Sequence, residues 1–407
     1  MVGPLSHVRV LDLSRVLAGP WAGQVLADLG AEVLKVERPK TGDDSRAFGP
    51  PWLKDANGRD TAESAYFACA NRGKKSITVN LSKPEGQRIV RELAARSDVL
   101  LENYKFGDLA RYGLGYDDLK KIAPRLIYCS VTGFGQTGPW RERPGYDFMI
   151  QGMGGIMSIT GERDDLPGGG PQKAGIPISD IITGMYAAIA VCAALAHRAE
   201  TGNGQHLDLA LLDSTVAILA NQGANFLATG NVPKAIGNAH PNIVPYQTFK
   251  TADGDMILAC GNDGQFRKFC GVAGCERLAG DPRFATNGKR VENRAELTKM
   301  LAEIVAKRAT RDWVEALEAA GVPNGPINAI DQVFQEPQAI ARGLKIELPH
   351  PTAGKVSLVR SPMRFSGTPV EHELPPPTLG QHTDEILRGA LKLGDAEIAR
   401  LRADGVI

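Results

Sequence analysis

Apolar positions set two rhythms along the first two hundred residues. HVRVLDLS (7–14) and AEVLKVERP (31–39) are short, nearly continuous apolar runs of the kind that forms buried strands. Between them AGPWAGQVLADLG (18–30) has helical spacing, with Pro20 near its first turn and Gly30 at its end. This is a β-α-β unit, and the alternation continues. KKSITVNL (74–81), SDVLLENY (97–104) and RLIYCSVTGFG (125–135) read as strands, separated by helical patterns over 84–96 and 109–122. Ser82 and Glu85 have capping-box spacing ahead of the first of these helices. Strands alternating with helices predict an α/β, Rossmann-like large domain with a mostly parallel sheet and right-handed crossovers.

A long apolar helix is predicted from Asp180 to about 200, then a strand, HLDLALL (206–212), and a further helix. From 231 to 261 the chain is rich in Pro, Gly and Asn. It contains YQTFKTADGDMILAC, whose Asp253-Gly254 pair marks a hairpin. Helical patterns follow at 265–272, 294–308 and 310–320. The organisation implied is a large domain over 1–200, a linker over 201–227 and a smaller α+β domain over 228–325. A linker and a C-terminal part over 326–407 would then return to the large domain.

Composition narrows the function classes. With 47 Lys+Arg against 46 Asp+Glu, the balance argues against a nucleic-acid or anionic-membrane surface, though not against a local basic pocket. The most apolar run, 181–196, is short for a bilayer and reads as a buried helix. The opening residues enter a strand at once, leaving no room for a leader. The six cysteines form no C-x-x-C pair and read as small buried residues in a reducing compartment, so a cytoplasmic protein is expected. No G-x-G-x-x-G, P-loop, G-x-S-x-G or paired-His metal spacing occurs, so neither a metal nor a permanently bound cofactor is expected.

One acid stands alone in an apolar stretch: Asp180 in GIPISDIITGMYAAIA (175–190). Asp is a preferred helix N-cap, and an apolar run follows it, so a cap is one reading. A nucleophile presented at a helix start is the other.

The ordered segments VLDLSRVLAGPWAGQVLADLGAEVLKVERP (10–39), NRGKKSITVNLSKPEG (71–86), LENYKFGDLARYGLGYDDL (101–119), YCSVTGFGQTGP (128–139), RPGYDFMIQGMGGIMSITG (143–161), GIPISDIITGMYAA (175–188) and GQHLDLALLDS (204–214) resemble the class III CoA-transferases. This is the family of formyl-CoA transferase and carnitine CoA-transferase. GNAHPNIVPYQTFKTADGD (237–255), GVPNGPINAIDQVFQEPQ (321–338), LPHPTAGKVSL (348–358) and PPPTLGQHT (375–383) look most like its succinyl-CoA:glutarate branch.

The resemblance implies that Asp180 is the catalytic nucleophile, exchanging an acyl-CoA thioester through anhydride and aspartyl-CoA intermediates. A helix start would favour its ionised form. By family position Leu17, Ala18, Arg38, Val79, Leu81, Asn103, Tyr104, Lys105, Arg111 and Tyr146 would line a CoA site. Gly261, Asn262, Gly264 and Gln265 would form a glycine-bearing loop over the intermediates, with His240 a contact for a substrate carboxylate, although a hairpin-to-helix turn and a turn histidine are the plain readings.

Coenzyme A enters as substrate, the other partner is a small carboxylic acid, and an interlocked homodimer is implied, with no nucleic acid and no membrane. Leu17 stands where oxalate-using members carry Gln, which counts against oxalate. Tyr146 stands where the racemase branch carries His, so an α-methylacyl-CoA racemase or epimerase is the weaker alternative. A transferase for formate, oxalate or carnitine, or a non-catalytic CoA-binding protein, completes the set.

Overall fold

The computed structural model describes residues 3–407. Six strands form one sheet, paired in parallel throughout. Across the sheet they run Lys74–Thr78, Glu32–Glu37, Arg9–Asp12, Val99–Glu102, Ile127–Thr132 and His206–Ala210. In chain order this is 3-2-1-4-5-6, the doubly wound arrangement. The order reverses between Arg9–Asp12 and Val99–Glu102, so the chain leaves these neighbouring strands in opposite directions and opens a crevice at their carboxyl ends.

The strands are apolar on both sides because both faces are covered. Successive residues enter different cores. Leu11, Leu34 and Leu100 pack with Ile89, Leu93 and the C-terminal residues Ile386, Leu387, Ile398 and Leu401. Val10, Val33, Val99 and Leu101 pack with Leu26, Ala187, Val191 and Ala194 on the other side.

Local chemistry moves several element ends. The helix Pro84–Ala94 starts from Lys83 with no side-chain cap, and Ser82 spends its hydroxyl on Asn80 Oδ1 at 2.6 Å, so no capping box forms. The expected helix over 109–122 is a short 3-10 turn, Ala110–Tyr112, and a helix Tyr116–Ile122, separated by Gly113 at φ +64°. The apolar helix spans Ile178–Thr201, 24 residues, longer than the run read from sequence. By length and composition alone it could cross a membrane; here Ala187, Ala188, Val191 and Ala194 are buried in the sheet's core. Four cysteines are buried, but Cys69 is exposed and Cys192 half-buried; all six are free thiols.

The chain forms two compact units. The sheet unit comprises the residues up to Ile156, Ala174–Thr229 and Gln338–Ile407; the second comprises Met157–Lys173 and Gly230–Pro337. The second unit has an antiparallel sheet of Asn324–Pro326, Asp255–Ala259 and Tyr246–Lys250. Its core holds Phe249, Phe266, Phe269, Leu297, Trp313 and Leu317. Thr251 and Gly254 close the hairpin turn.

Candidate active site

The switch-point crevice holds a cavity of about 410 Å³. Arg15, Val16, Leu17 and Ala18 wall one side, Asn103, Tyr104, Lys105 and Phe106 another, and Asp180 reaches it from the start of Ile178–Thr201. Two close approaches bring these segments together. An added Cβ on Gly184 would lie 2.6 Å from Ala18 O, so only glycine lets the Asp180 helix press onto the start of Ala18–Asp28. Gly133 and Gly145 touch backbone to backbone in the cavity wall, where a Cβ on either would come within 2.5 Å of the other's Cα.

Asp180 is not the cap of its helix. Pro177 occupies the cap position, and Asp180 is the third residue of the first turn. The capping acceptor comes from another helix. Asp147 Oδ1 takes the N–H of Ser179 at 2.8 Å and that of Asp180 at 3.4 Å, while its Oδ2 accepts from Gln151 Nε2 at 2.7 Å. Gln151, fully buried, accepts the Ala174 N–H and so ties the chain entering the helix to Asp147. Ser179 is pinned by Thr215, whose hydroxyl donates to Ser179 Oγ at 2.8 Å. The Asp180 side chain is thereby relieved of capping duty.

Its electrostatics differ from the expectation drawn from a helix start. Burial, and then the Asp147 charge, push the Asp180 carboxyl up to about 7. Tyr66 lies within its field: burial, and then Asp180, raise the phenol to about 12, so it stays a proton donor at neutral pH. Tyr66 sits in the five-residue helix Ala65–Cys69, and no spacing signal marked it.

The wall at 14–18 is held under strain. Val16, β-branched, has φ +68°, a conformation that costs on the order of 1–3 kcal/mol. Asp43 accepts its N–H at 3.0 Å, and Asn103 accepts the Arg15 N–H and donates to the Arg15 carbonyl. Asp43 is itself fixed by Lys35, wholly buried, at 2.7 Å. Burial opposes the Asp43 charge, but Lys35 holds its carboxyl far below the usual range.

The cavity thus sets a carboxylate at the switch point opposite a strained turn that carries Arg15. The model of CoA-transferase family III matches residues 5–383. The chain belongs to that family. A succinate–glutarate CoA-transferase of Agrobacterium fabrum is 50% identical over 94% of this chain and 95% of its own length. A succinyl-CoA:glutarate CoA-transferase of Mus musculus is 46% identical over 99% of this chain and 90% of its own. A CaiB/BaiF family protein from Brucella suis superposes with a TM-score of 0.84 at 50% identity, covering 96% of this chain and all of that one.

For a CoA-transferase the cavity brings together Asp180, Leu17, Ala18, Asn103, Tyr104, Lys105 and Tyr146. Arg38 lines a neighbouring groove and reaches this cavity's rim only through Asp44, to which it hydrogen-bonds. Val79 is buried in the core and Leu81 packs against it, so neither side chain projects into the cavity. Arg111 is exposed and paired with Asp108. Three cations that the family positions did not include line the cavity: Arg15, Arg141 and Arg143. Arg15 binds Asp44 at 2.7 Å, and its buried Nε has no acceptor among the described residues.

In the second unit, Asn262 caps the helix Asp263–Val272. Its Oδ1 accepts from Gln265 N at 2.9 Å, and Gln265 Oε1 accepts from Gly261 N at 2.8 Å. The Gly261 and Gln265 N–H groups are therefore spent within the loop. His240 Nδ1 accepts the Asn242 N–H at 3.1 Å, and its ring lies 5.2 Å from that of Tyr246, the geometry of a turn histidine.

Proposed function

We propose that this enzyme moves CoA between succinyl-CoA and glutarate with Asp180 as nucleophile. The observation that carries the reading is the division of labour at the helix start, where Asp147 caps and the Asp180 carboxylate is left to face the cavity. The Agrobacterium and mouse relatives support the substrate pair by their names and by identity across nearly the whole chain.

The chemistry follows from a carboxylate beside a thioester. Asp180 attacks the succinyl carbonyl; the C–S bond breaks and CoA leaves as thiolate, giving a mixed anhydride. The thiolate attacks the aspartyl carbonyl, releasing succinate and leaving aspartyl-CoA. A glutarate carboxylate then displaces the thiolate from that carbonyl, and the thiolate takes the glutaryl group, returning Asp180 as carboxylate. Oxyanion charge needs donors. Tyr66, a phenol within the field of Asp180, is the candidate donor. In the second unit the Gly261 N–H would have to leave Gln265 before it could donate elsewhere. Arg15, Arg38, Lys105 and Arg143 are the cations for the CoA phosphates. Arg111 would first have to leave Asp108.

The same reading has the enzyme working as a homodimer in the cytoplasm. Met185 and Ile189 on the Asp180 helix, and Phe226 and Leu227 on Ala220–Thr229, are exposed apolar residues suited to a subunit contact, and six free thiols suit a reducing compartment.

The test is acyl-CoA with hydroxylamine, followed by peptide mass spectrometry. A hydroxamate at Asp180 is expected. Absence of label at Asp180 during turnover removes it as nucleophile. Succinyl-CoA with a panel of acids is expected to rank glutarate first; a better rate with acetate or carnitine overturns the substrate pair but not the transferase.

A further inference from the structure

The segment 104–108 is a thin wall with space on both sides. On one side is the 410 Å³ cavity that holds Asp180; on the other is a second cavity of about 310 Å³, and Lys105 and Phe106 line both. At the root of this wall is Glu102, the last residue of strand Val99–Glu102 and almost wholly buried. Its Oε2 accepts the Tyr104 N–H at 2.8 Å. That bond holds the residue whose ring faces the Arg15 guanidinium, 5.2 Å from its centroid. It also follows directly on Asn103, which clasps the backbone of Arg15.

Register gives Glu102 its other partners. It lies opposite Ser130 on strand Ile127–Thr132, with Ser130 in turn opposite Asp208. Ser130, also buried, hydrogen-bonds Glu102 on one side and lies 2.9 Å from His206 Nε2 on the other. His206 is stacked on Tyr116 at 4.9 Å and meets Tyr128 edge-on at 5.4 Å, so its ring is fixed. Carboxyl, hydroxyl and imidazole are thus in line. The hydroxyl donates to an ionised Glu102, and the direction of its bond with His206 follows the imidazole tautomer.

We propose that Glu102 is a positioning residue for CoA. Ionised, it holds the Tyr104 N–H and keeps the 104–108 wall against the Asp180 cavity; protonated, it is a weaker acceptor, loosens Tyr104 and lets the wall move into the 310 Å³ space. Charge is what makes the grip strong, because a hydrogen bond to a carboxylate is roughly twice as strong as one to a neutral acceptor. The groups facing Glu102 are Asp108 on the wall, Asp208 on the adjoining strand, the phenols of Tyr104 and Tyr128 and the thiol of Cys129; His206 lies beyond Ser130, and Lys105, Asp117 and Asp118 line the cavity beyond. Burial, the largest influence, lifts the Glu102 carboxyl to about 7, and the nearby aspartates add to this against the hydrogen bonds of Ser130 and Tyr104. The switch would therefore operate near neutrality.

The proposal rests on the CoA reading of the 410 Å³ cavity, and the experiment separates the two. CoA itself is titrated calorimetrically from pH 5.5 to 8.5 into Asp180→Asn, into Asp180→Asn/Glu102→Gln and into Asp180→Asn/Ser130→Ala, so that Asp180 contributes no titration of its own. In the Glu102-containing parent, affinity should fall about fivefold or more between pH 8 and pH 6. Gln accepts the Tyr104 N–H without titrating, so in Glu102→Gln the step should shrink to the small one left by the phosphate monoester of CoA itself. Ser130→Ala removes the donor that favours the ionised form, and the step should move to higher pH. An identical step in parent and Glu102→Gln overturns the proposal, as does a step unmoved in Ser130→Ala if the Gln variant does not fold. Failure of the parent to bind CoA at any pH overturns the reading of the cavity itself.

Discussion

Asp147 Oδ1 stands 3.4 Å from the Asp180 backbone nitrogen and 2.8 Å from that of Ser179, so one acid caps the helix that presents the other. The pair divides two tasks that a single aspartate could not perform together. A cap must be an acceptor fixed in place; a nucleophile must keep its lone pairs for the substrate.

Asp147→Asn should move the acid limb of activity to lower pH. The Asp147 charge is one of the two causes that raise Asp180. Asn keeps an acceptor for the two N–H groups but sets its amide NH₂ against Gln151 Nε2, whose own oxygen is taken by Ala174. Asp147→Ala loses the cap as well, and helix caps are worth about 0.5–2 kcal/mol. Tm should therefore fall further in Ala than in Asn, while both shift the limb of kcat/KM downward. An unmoved limb in both variants would disprove the coupling.

In the wild type, activity should climb roughly tenfold per pH unit below pH 7 and level off above it, because only ionised Asp180 attacks and its carboxyl is poised at about 7. Pre-steady-state formation of the aspartyl intermediate is the cleanest readout, since it excludes product release. A flat profile between pH 5.5 and 8 would contradict the poised carboxyl.

Asp180→Asn should abolish transfer and yet stabilise the protein. The folded carboxyl, at about 7, lies above its ordinary 3.8, so between these values the native state binds more protons than the unfolded one. Stability from this group is full below about pH 4 and is lost as pH rises through 7. Above that, an ionised Asp180 costs on the order of 4 kcal/mol, which Asn avoids. Tm of the variant should exceed that of the wild type at pH 8 and match it more closely at pH 5; the reverse order would refute the burial argument.

Arg15→Ala should raise the KM for the CoA donor more than Arg38→Ala, and Arg111→Ala least. Arg15 lines the cavity with a donor unspent, Arg38 reaches the rim through Asp44, and Arg111 is exposed on Asp108. A charge-assisted contact is worth about 1.5–3 kcal/mol, hence about ten- to hundredfold. A larger effect at Arg111 than at Arg15 would return the phosphate site to the outer surface.

The parallel sheet was legible because each of its strands is a compact apolar run between helical patterns: HVRVLDLS and AEVLKVERP appear where they were read. Asp180 was legible as a lone acid in an apolar stretch. Its true setting was not, because the cap lies 33 residues away in sequence, at Asp147, and periodicity reports only neighbours along an element. The same limit hid Tyr66 and Arg15. Tyr66 sits in a five-residue helix, and Arg15 follows a buried strand in a turn that lacks any glycine fingerprint. Val79 and Leu81 show the converse: a family position gave their neighbourhood, but the side-chain direction depends on the alternation along their own strand end.

Gly184→Ala should lower kcat far more than one methyl group suggests. Gly184 lies one turn beyond Asp180 on the same helix, and its α-carbon faces the first turn of Ala18–Asp28. An added Cβ would come within 2.6 Å of Ala18 O and 3.0 Å of Trp21 Cβ. The first neighbour is backbone at the start of a helix buried over most of its length, so it has little room to yield. Relief must come from the Asp180 helix backing away or rotating, and either moves the carboxylate relative to Leu17 and the 104–108 wall. Overpacking of this kind costs about 1–3 kcal/mol of stability. A shift of about 1 Å at a reacting group costs about a hundredfold in rate. Gly271→Ala is the control: it lies in the helix Asp263–Val272, nothing stands within 4 Å of its Cβ position, and Ala there should be neutral or slightly stabilising. Measured together, Gly184→Ala should lose both Tm and kcat while Gly271→Ala loses neither. Full kcat in a stably folded Gly184→Ala would mean that the contact with Ala18 does not set the position of Asp180.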